Sequence, residues 1–267
     1  MRRVVSRRDF LAATVVGSLA VCVFRDGMPR AEAQPTGVDP AGVAAQNAGR
    51  MPTQWGMALP GITTSFAAAG RQIALTFDAC RGACDDALLA ALERDAVPAV
   101  LFLNSRWIDA NPDRAGQLAA NPLFEIGNHG TRHVPLSVTG RAAYGIAGTR
   151  SAAEAVDEVW ANHQRLTALT GTPPTWFRPG TAYYDDVGVD IVGQLGETPL
   201  GFTVNGDDGA TLSAPAVRAN IMGAAPGSIV IAHMNHPGSG TAAGVTDAVA
   251  QLRATGWEFV PMGQAAA

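Results

Sequence analysis

The chain has 267 residues, 47% apolar and 16% charged, with a formal net charge of −4. All 19 basic residues are arginine, which excludes a Schiff-base lysine, a phosphate-loop lysine and a lysine general base. The composition suits one large domain, or at most two modest ones, and not a disordered polymer; the acidic balance argues against nucleic acid as a partner.

Residues 1–33 read as an export leader. Ser6-Arg7-Arg8-Asp9-Phe10-Leu11 is a twin-arginine pattern, a weakly apolar run follows over 11–24, and Ala31-Glu32-Ala33 is a small-x-small cleavage site. An uncleaved anchor is the alternative, but the run is short for a bilayer span. A lipid anchor on Cys22 is a poor match, because Val21 stands where a small residue is expected. The expected destination is the periplasm or the outside, with the membrane met only in transit. Cleavage would remove six arginines and three acids and leave a net charge of −7.

Residues 34–70 are rich in Ala, Gly, Pro, Gln and Thr and show little periodicity, which predicts a linker or loosely docked arm. Strands and helices then alternate. The apolar run 72–77 predicts a buried strand, 85–94 a helix, 99–103 a strand, 113–120 a helix and 123–127 a strand. The clearest helix is 152–170, with Val156, Val159, Trp160, Leu166 and Leu169 near one face. After it come an extended 175–177, a helix 185–195, a strand 200–204, a helix 214–222, a strand 228–232, a helix 243–255 and a closing strand 257–260. This repeated β/α order predicts a parallel sheet, open or closed into a barrel, over 71–267. No glycine-rich fingerprint follows the first strand, so a dinucleotide fold has no support.

In a β/α barrel the chemistry gathers at the carboxyl ends of the strands. Asp78, His129, His133, Arg178, Asp207, Asp208, His233 and His236 all fall just after predicted strands. His129 and His133 are four apart, which on a helical turn would place two imidazoles on one side, as a divalent metal needs. Surface histidine pairs are also common, so spacing alone is weak evidence. Cys80 and Cys84 could pair in an oxidising compartment or stay as two small unpaired residues.

Four segments occur in order: Leu75-Thr76-Phe77-Asp78, then Glu125-Ile126-Gly127-Asn128-His129-Gly130-Thr131-Arg132-His133-Val134-Pro135-Leu136, then Phe177-Arg178-Pro179-Gly180, then Ile229-Val230-Ile231-Ala232-His233. Together they resemble the polysaccharide deacetylase (NodB-homology) family, carbohydrate esterase family 4, from about Arg71 onward. The resemblance implies an α/β fold, a distorted (β/α)7 barrel. It implies hydrolysis of N-acetyl or O-acetyl groups on a carbohydrate, with a divalent metal, zinc by preference, as cofactor. It assigns Asp78 as catalytic base, His129 and His133 as metal ligands, Arg178 as the residue that orients the base, His233 as general acid, and Asp207 as its supporting carboxylate.

Three departures stand out. The family's second motif aspartate, a metal ligand, is Ala79 here, so Asp78 itself, Asp85, Asp86, Asp207 or Glu125 would have to replace it, or two histidines and water would hold the metal, or no metal binds. Arg178-Pro179-Gly180-Thr181 lacks the family's aromatic, whose backbone amide would face the oxyanion. Asp207-Asp208-Gly209 lacks the tryptophan that would line a sugar site, leaving Tyr183 and Tyr184 as candidates for sugar contact and, alternatively, as core. His163 reads as a packing residue, and Asp185 and Asp186 as a helix N-cap pair. The deacetylase reading competes with a non-catalytic carbohydrate-binding relic and with a hydrolase of a non-sugar amide.

Overall fold

The structure is a computed structural model, and it describes residues 37–265. The predicted leader lies outside the described residues. The elements in chain order are α1 (Pro40–Asn47), β1 (Trp55–Gly56), β2 (Gln72–Ala79), α2 (Asp86–Arg94), β3 (Ala99–Leu103), α3 (Ser105–Ala110), α4 (Pro112–Ala119), β4 (Phe124–Asn128) and α5 (Ala152–Thr170). There follow β5 (Trp176–Phe177), β6 (Tyr184–Asp185), α6 (Asp186–Gln194), β7 (Thr198–Pro199), β8 (Val204–Asn205), α7 (Ala214–Met222), β9 (Ile229–His233), α8 (Thr241–Ala254), β10 (Glu258–Phe259) and α9 (Met262–Ala265).

The main sheet runs β7-β5-β4-β3-β2-β9-β8, with β10 paired to the start of β2, and every pairing in it is parallel. It curls 215° round an axis, so the barrel is a half-barrel with an open seam between β7 and β8. Strand β2 is buried from Ile73 to Ala79, as expected of a parallel strand covered on both faces. Its alternation sorts the side chains. Ile73, Leu75, Phe77 and Ala79 pack outward with Leu88 and Leu92 of α2 and Val245 of α8, while Ala74 packs with Val100, Phe102 and Ile229 on the other face. Thr76 and Asp78 share that inner face.

Helix α5 starts on Ser151, whose side chain accepts from the Glu154 N–H, and ends on Gly171 at φ +79°. Its apolar stripe of Ala155, Val156 and Val159 faces Phe177, Tyr184 and the apolar residues of α6. The predicted strand 200–204 is split instead into β7 and β8. A buried guanidinium is the reason: Arg178 donates from Nε to the Leu200 carbonyl (3.1 Å) and from Nη2 to the Gly201 carbonyl (3.0 Å), carbonyls that a continuous ladder would use.

Residues 37–70 dock on the barrel at a few points. Helix α1 buries Val43 and Asn47, Val43 in the same cluster as α5 and α6, and β1 pairs antiparallel with β6. The stretch 63–66 bonds across the seam: Thr63 N–H to the Pro199 carbonyl, Gly201 N–H to the Thr63 carbonyl, and Phe66 N–H to the Gly227 carbonyl. The segment is therefore a docked arm and not a free linker. Sequence periodicity missed it because α1 is only 8 residues long and rich in Ala, Gly and Gln.

Candidate active site

Asp78 ends the inner face of β2, level with His233 at the end of β9. Its Oδ1 accepts from Arg178 Nη1 at 2.8 Å, and the same nitrogen donates to Thr76 Oγ1 at 2.9 Å. Arg178 is fully buried, its guanidinium carbon 4.3 Å from the centre of the Phe102 ring. Burial pushes the Asp78 pKa up, but the charge and hydrogen bond of Arg178, with the His233 charge, outweigh it and hold the carboxyl below its usual range.

His129 and His133 lie on the loop after β4 and not on a helical turn, since His133 has φ +61°. Glu158 of α5 shapes this loop, its carboxylate accepting from the N–H groups of Thr131, Arg132 and His133 at 2.9–3.1 Å. Asn104 donates to the carbonyls of His129 and Gly130, both at 2.8 Å. Asn128 and Asn162 bond to each other and tie the ends of β3 and β4 to α5. Gly180 completes the packing, because a Cβ there would collide with the His133 ring and backbone.

His129 Nδ1 lies 2.8 Å from the Arg178 carbonyl. A carbonyl only accepts, so Nδ1 carries the proton and Nε2 presents its lone pair. The buried His133 Nε2 has no hydrogen-bond partner among the described residues. Burial lowers both histidine pKa values, that of His133 to about 3, so both rings are neutral. Two neutral imidazoles, the His133 Nε2 without a partner and the His129 Nε2 met by the Cys80 sulfur, are the donor chemistry a divalent cation takes.

A third donor stands with them. Cys80 Sγ is 3.6 Å from His129 Nε2, and the donor atoms of Cys80, His129 and His133 all lie within 4.8 Å of one another. Asp78 Oδ2 is also 3.6 Å from His129 Nε2 but falls outside this three-residue cluster. The other carboxylates weighed for Ala79 are engaged elsewhere. Asp85 caps α2 through the Leu88 N–H, Asp86 pairs with Arg114, Glu125 accepts from Trp176 and Gly263, and Asp207 holds His233. Cys80 and Cys84 are both unpaired; burial and the Asp78 charge push the Cys80 thiol pKa up.

His233 Nδ1 is 2.8 Å from Asp207 Oδ1. Asp207 Oδ2 accepts from the His233 backbone N–H (2.7 Å) and from Thr241 Oγ1 (2.8 Å), so the buried carboxylate is fixed from three sides. Burial lowers the His233 pKa, but the Asp207 bond and charge and the Asp78 charge outweigh it, and the net shift is upward.

Asp78, His133 and His233 line one cleft of about 490 Å³, walled also by Tyr144, Phe202 and Asp208. An adjoining cleft shares His133 and His233 and is lined by Cys80 and the exposed His236. Tyr184 does not reach either: it is fully buried and its OH donates to the Phe177 carbonyl, which makes it core. Tyr183 stands behind the cleft, stacked on Trp55 of the arm with Tyr144 edge-on to it, both at 5.5 Å between ring centres. Asp185 caps α6 through the Gly188 N–H, and Asp186 holds Thr53. His163 packs on Trp160 and meets Glu197 at 2.8 Å, away from the cleft.

Sequence reasoning missed Cys80 as a donor, because its placement beside His129 and His133 depends on β2 keeping its alternation through Ala79. It missed Tyr144 and Phe202 because nothing in their local pattern sets them apart from core or loop aromatics. It missed Glu158 because a carboxylate on an amphipathic helix reads as solvated.

A parallel half-barrel with these groups at the carboxyl ends of its strands has the layout of a β/α-barrel hydrolase. The polysaccharide deacetylase family model matches residues 67–200, half of the chain, and the chain belongs to that family. Among solved structures it is similar to a carbohydrate esterase family 4 pseudoenzyme from Bacillus anthracis, with a TM-score of 0.66 and 22% identity over 78% of this chain and 69% of that one. It is also similar to a peptidoglycan N-acetylglucosamine deacetylase, with a TM-score of 0.66 and 21% identity over 77% and 92% of the two chains. A third is a family 4 carbohydrate esterase from Bacillus subtilis, with a TM-score of 0.61 and 19% identity over 77% and 84%. At these identities the likeness is one of fold. No curated protein matches the chain significantly.

Proposed function

We propose that the protein is an exported, metal-dependent hydrolase that removes acetyl groups from a carbohydrate. The observation that carries this is one cleft lined by Asp78, His133 and His233, with Arg178 holding Asp78, the neutral His129 beside His133 and Asp207 holding His233. His129 and His133 would hold a divalent cation, which supplies acidity to a bound water and polarises a carbonyl.

The protein groups then have separate tasks. Asp78 accepts a proton from the attacking water at its Oδ2, since Oδ1 is engaged by Arg178. Arg178 keeps that carboxylate ionised and aimed. His233, kept protonated by Asp207, gives its Nε2 proton to the departing amine or alcohol oxygen. Gly180 and Thr181 line the cleft, and a backbone N–H of this turn is the candidate donor to the oxyanion in place of the missing aromatic segment's amide. Tyr144 and Phe202 offer apolar faces for a sugar ring.

Base, orienter and acid would have no use together in a binding relic, which is why catalysis is preferred over that reading despite Ala79. The test is replacement of the two proton-transfer groups. Asp78→Asn and His233→Ala should each lower acetate release from an acetylated oligosaccharide by about 10²–10⁴-fold while leaving the protein folded. Unchanged turnover in both variants would overturn the assignment; oligosaccharide binding without turnover in the parent protein would establish the relic. Sequencing the exported protein should find Gln34 at its N-terminus, and an intact Met1 there would contradict export by cleavage.

A further inference from the structure

We propose that Cys80 is the third protein ligand of the cation, so that the centre is Cys–His–His and not carboxylate–His–His. The inference rests on the metal-dependent reading above and names what stands in for the ligand that Ala79 cannot supply.

Strand geometry is the first argument. Ala79 pairs with Leu103 of β3 in regular register, so β2 keeps its alternation to its last residue. That turns the Ala79 side chain outward, fully buried with the helix-facing cluster. Cys80 is the next residue on the face of Asp78. The replacement donor therefore sits one position further along the chain, where the strand turns a side chain back toward the site.

Distance is the second argument. A tetrahedral zinc with bonds of about 2.3 Å to sulfur and about 2.05 Å to nitrogen separates those two ligand atoms by about 3.5 Å. Cys80 Sγ and His129 Nε2 are 3.6 Å apart, and the His133 donor lies within 4.8 Å of both. The three side chains thus need little adjustment to close on one ion. The third argument is availability. His129 Nε2 is freed by its Nδ1 bond, His133 Nε2 is buried without a partner, and Cys80 lies on the wall of the adjoining cleft, which leaves an open side for water. Asp78 stays free of the ion and keeps its role as base.

Coordination exchanges the Cys80 S–H proton for the cation and releases that proton to solvent. A thiolate with two imidazoles selects zinc, and cobalt as its spectroscopic substitute, over magnesium or calcium.

The experiment uses the full chain, stripped of metal and titrated with Co²⁺ in the absence of substrate. The expected result is one Co²⁺ per chain with a near-ultraviolet thiolate-to-cobalt charge-transfer band. In Cys80→Ser the band disappears and affinity falls at least about tenfold, a loss already typical of disturbing an outer partner of a ligand. Cys80→Asp should recover affinity without the band, which separates ligand loss from misfolding. One Co²⁺ bound with no such band, or no Co²⁺ bound at all, would overturn the proposal. If the first occurs with acetate release intact, the deacetylase reading survives without Cys80. If the band is present and no acetylated glycan is cleaved, the Cys–His–His centre stands and the deacetylase reading fails.

Discussion

Two residues with opposite electrostatic surroundings set the proton traffic proposed for this site. Asp78 is buried, yet the charges of Arg178 and His233 hold its pKa down; His233 is half-buried, yet its bond to Asp207 and that carboxylate's charge raise its pKa. The sign for each follows. His233 has a raised folded pKa, so its contribution to stability is complete below the ordinary value of 6.5 and is lost as pH rises through the folded one. Activity that needs its proton should fall along the same alkaline limb. Asp207→Asn removes the main opposition to burial and leaves only the Asp78 charge against it, so that limb should move to lower pH in a pH–rate profile. A limb that stays in place would remove Asp207 from its supporting role. Asp78 has a lowered folded pKa, so its stabilisation is present above 3.8 and is lost as pH falls through the folded value. Ala79 gives a second prediction. Ala79→Asp places a carboxylate in the outward cluster of Leu88, Leu101 and Val245, where nothing pairs with it. It should cost about 3 kcal/mol in denaturant unfolding, the order found for an uncompensated buried charge, without tightening metal binding. Tighter binding with unchanged stability would show that the site can reach position 79.

At the scale of elements, much was legible in the sequence. Helices α5 and α7 occupy 152–170 and 214–222 as their patterns predict: α5 carries a Ser151 cap and a continuous apolar stripe, and α7 a proline in its first turn after Ser213. The continuous apolar run of β2 likewise announces a strand covered on both faces. What was not legible depends on partners distant in sequence. The break between β7 and β8 exists because Arg178 takes the carbonyls between them, and no window of ten residues contains that fact. The loop after β4 is shaped by Glu158, some 25 residues on. Glu158→Gln keeps an acceptor but removes the charge and the second acceptor oxygen. Stability should drop by about 1–3 kcal/mol, and metal affinity by about 10–100-fold as His133 loses its fixed position. Isothermal titration with Zn²⁺ reads the second effect, and an unchanged affinity would make Glu158 a purely structural brace. The convergence of Asp78, His133 and His233 on one cleft follows from ordered motifs at strand ends, whereas the place of Cys80 beside them depends on the alternation of β2 running through Ala79.

For the whole molecule, the open seam of the half-barrel is the feature that needs support. The arm supplies it, with Thr63 and Phe66 bonding backbone on both sides of the seam and α1 covering α5 and α6. Asn47 and Arg50 add bonds to Gln194 and Asp190, the latter pair being exposed and worth little by itself. A chain beginning at residue 71 should therefore melt about 10 °C lower, at roughly 2–4 °C per kcal/mol for a domain of this size. An unchanged melting temperature would make the arm an ornament. Its Trp55 also backs Tyr183 and, through it, Tyr144 at the cleft, so the truncation should raise KM more than it lowers kcat.

The central claim is that this cleft performs metal-dependent deacetylation, despite the missing second aspartate. Acetate release from acetylated oligosaccharides, measured on zinc-loaded protein and again after chelation and zinc restoration, tests it most directly. The account predicts acetate release that stops with the chelator and returns with zinc. A folded, zinc-loaded protein that releases no acetate from N-acetylated or O-acetylated glycans, or one whose release ignores the chelator, would contradict it.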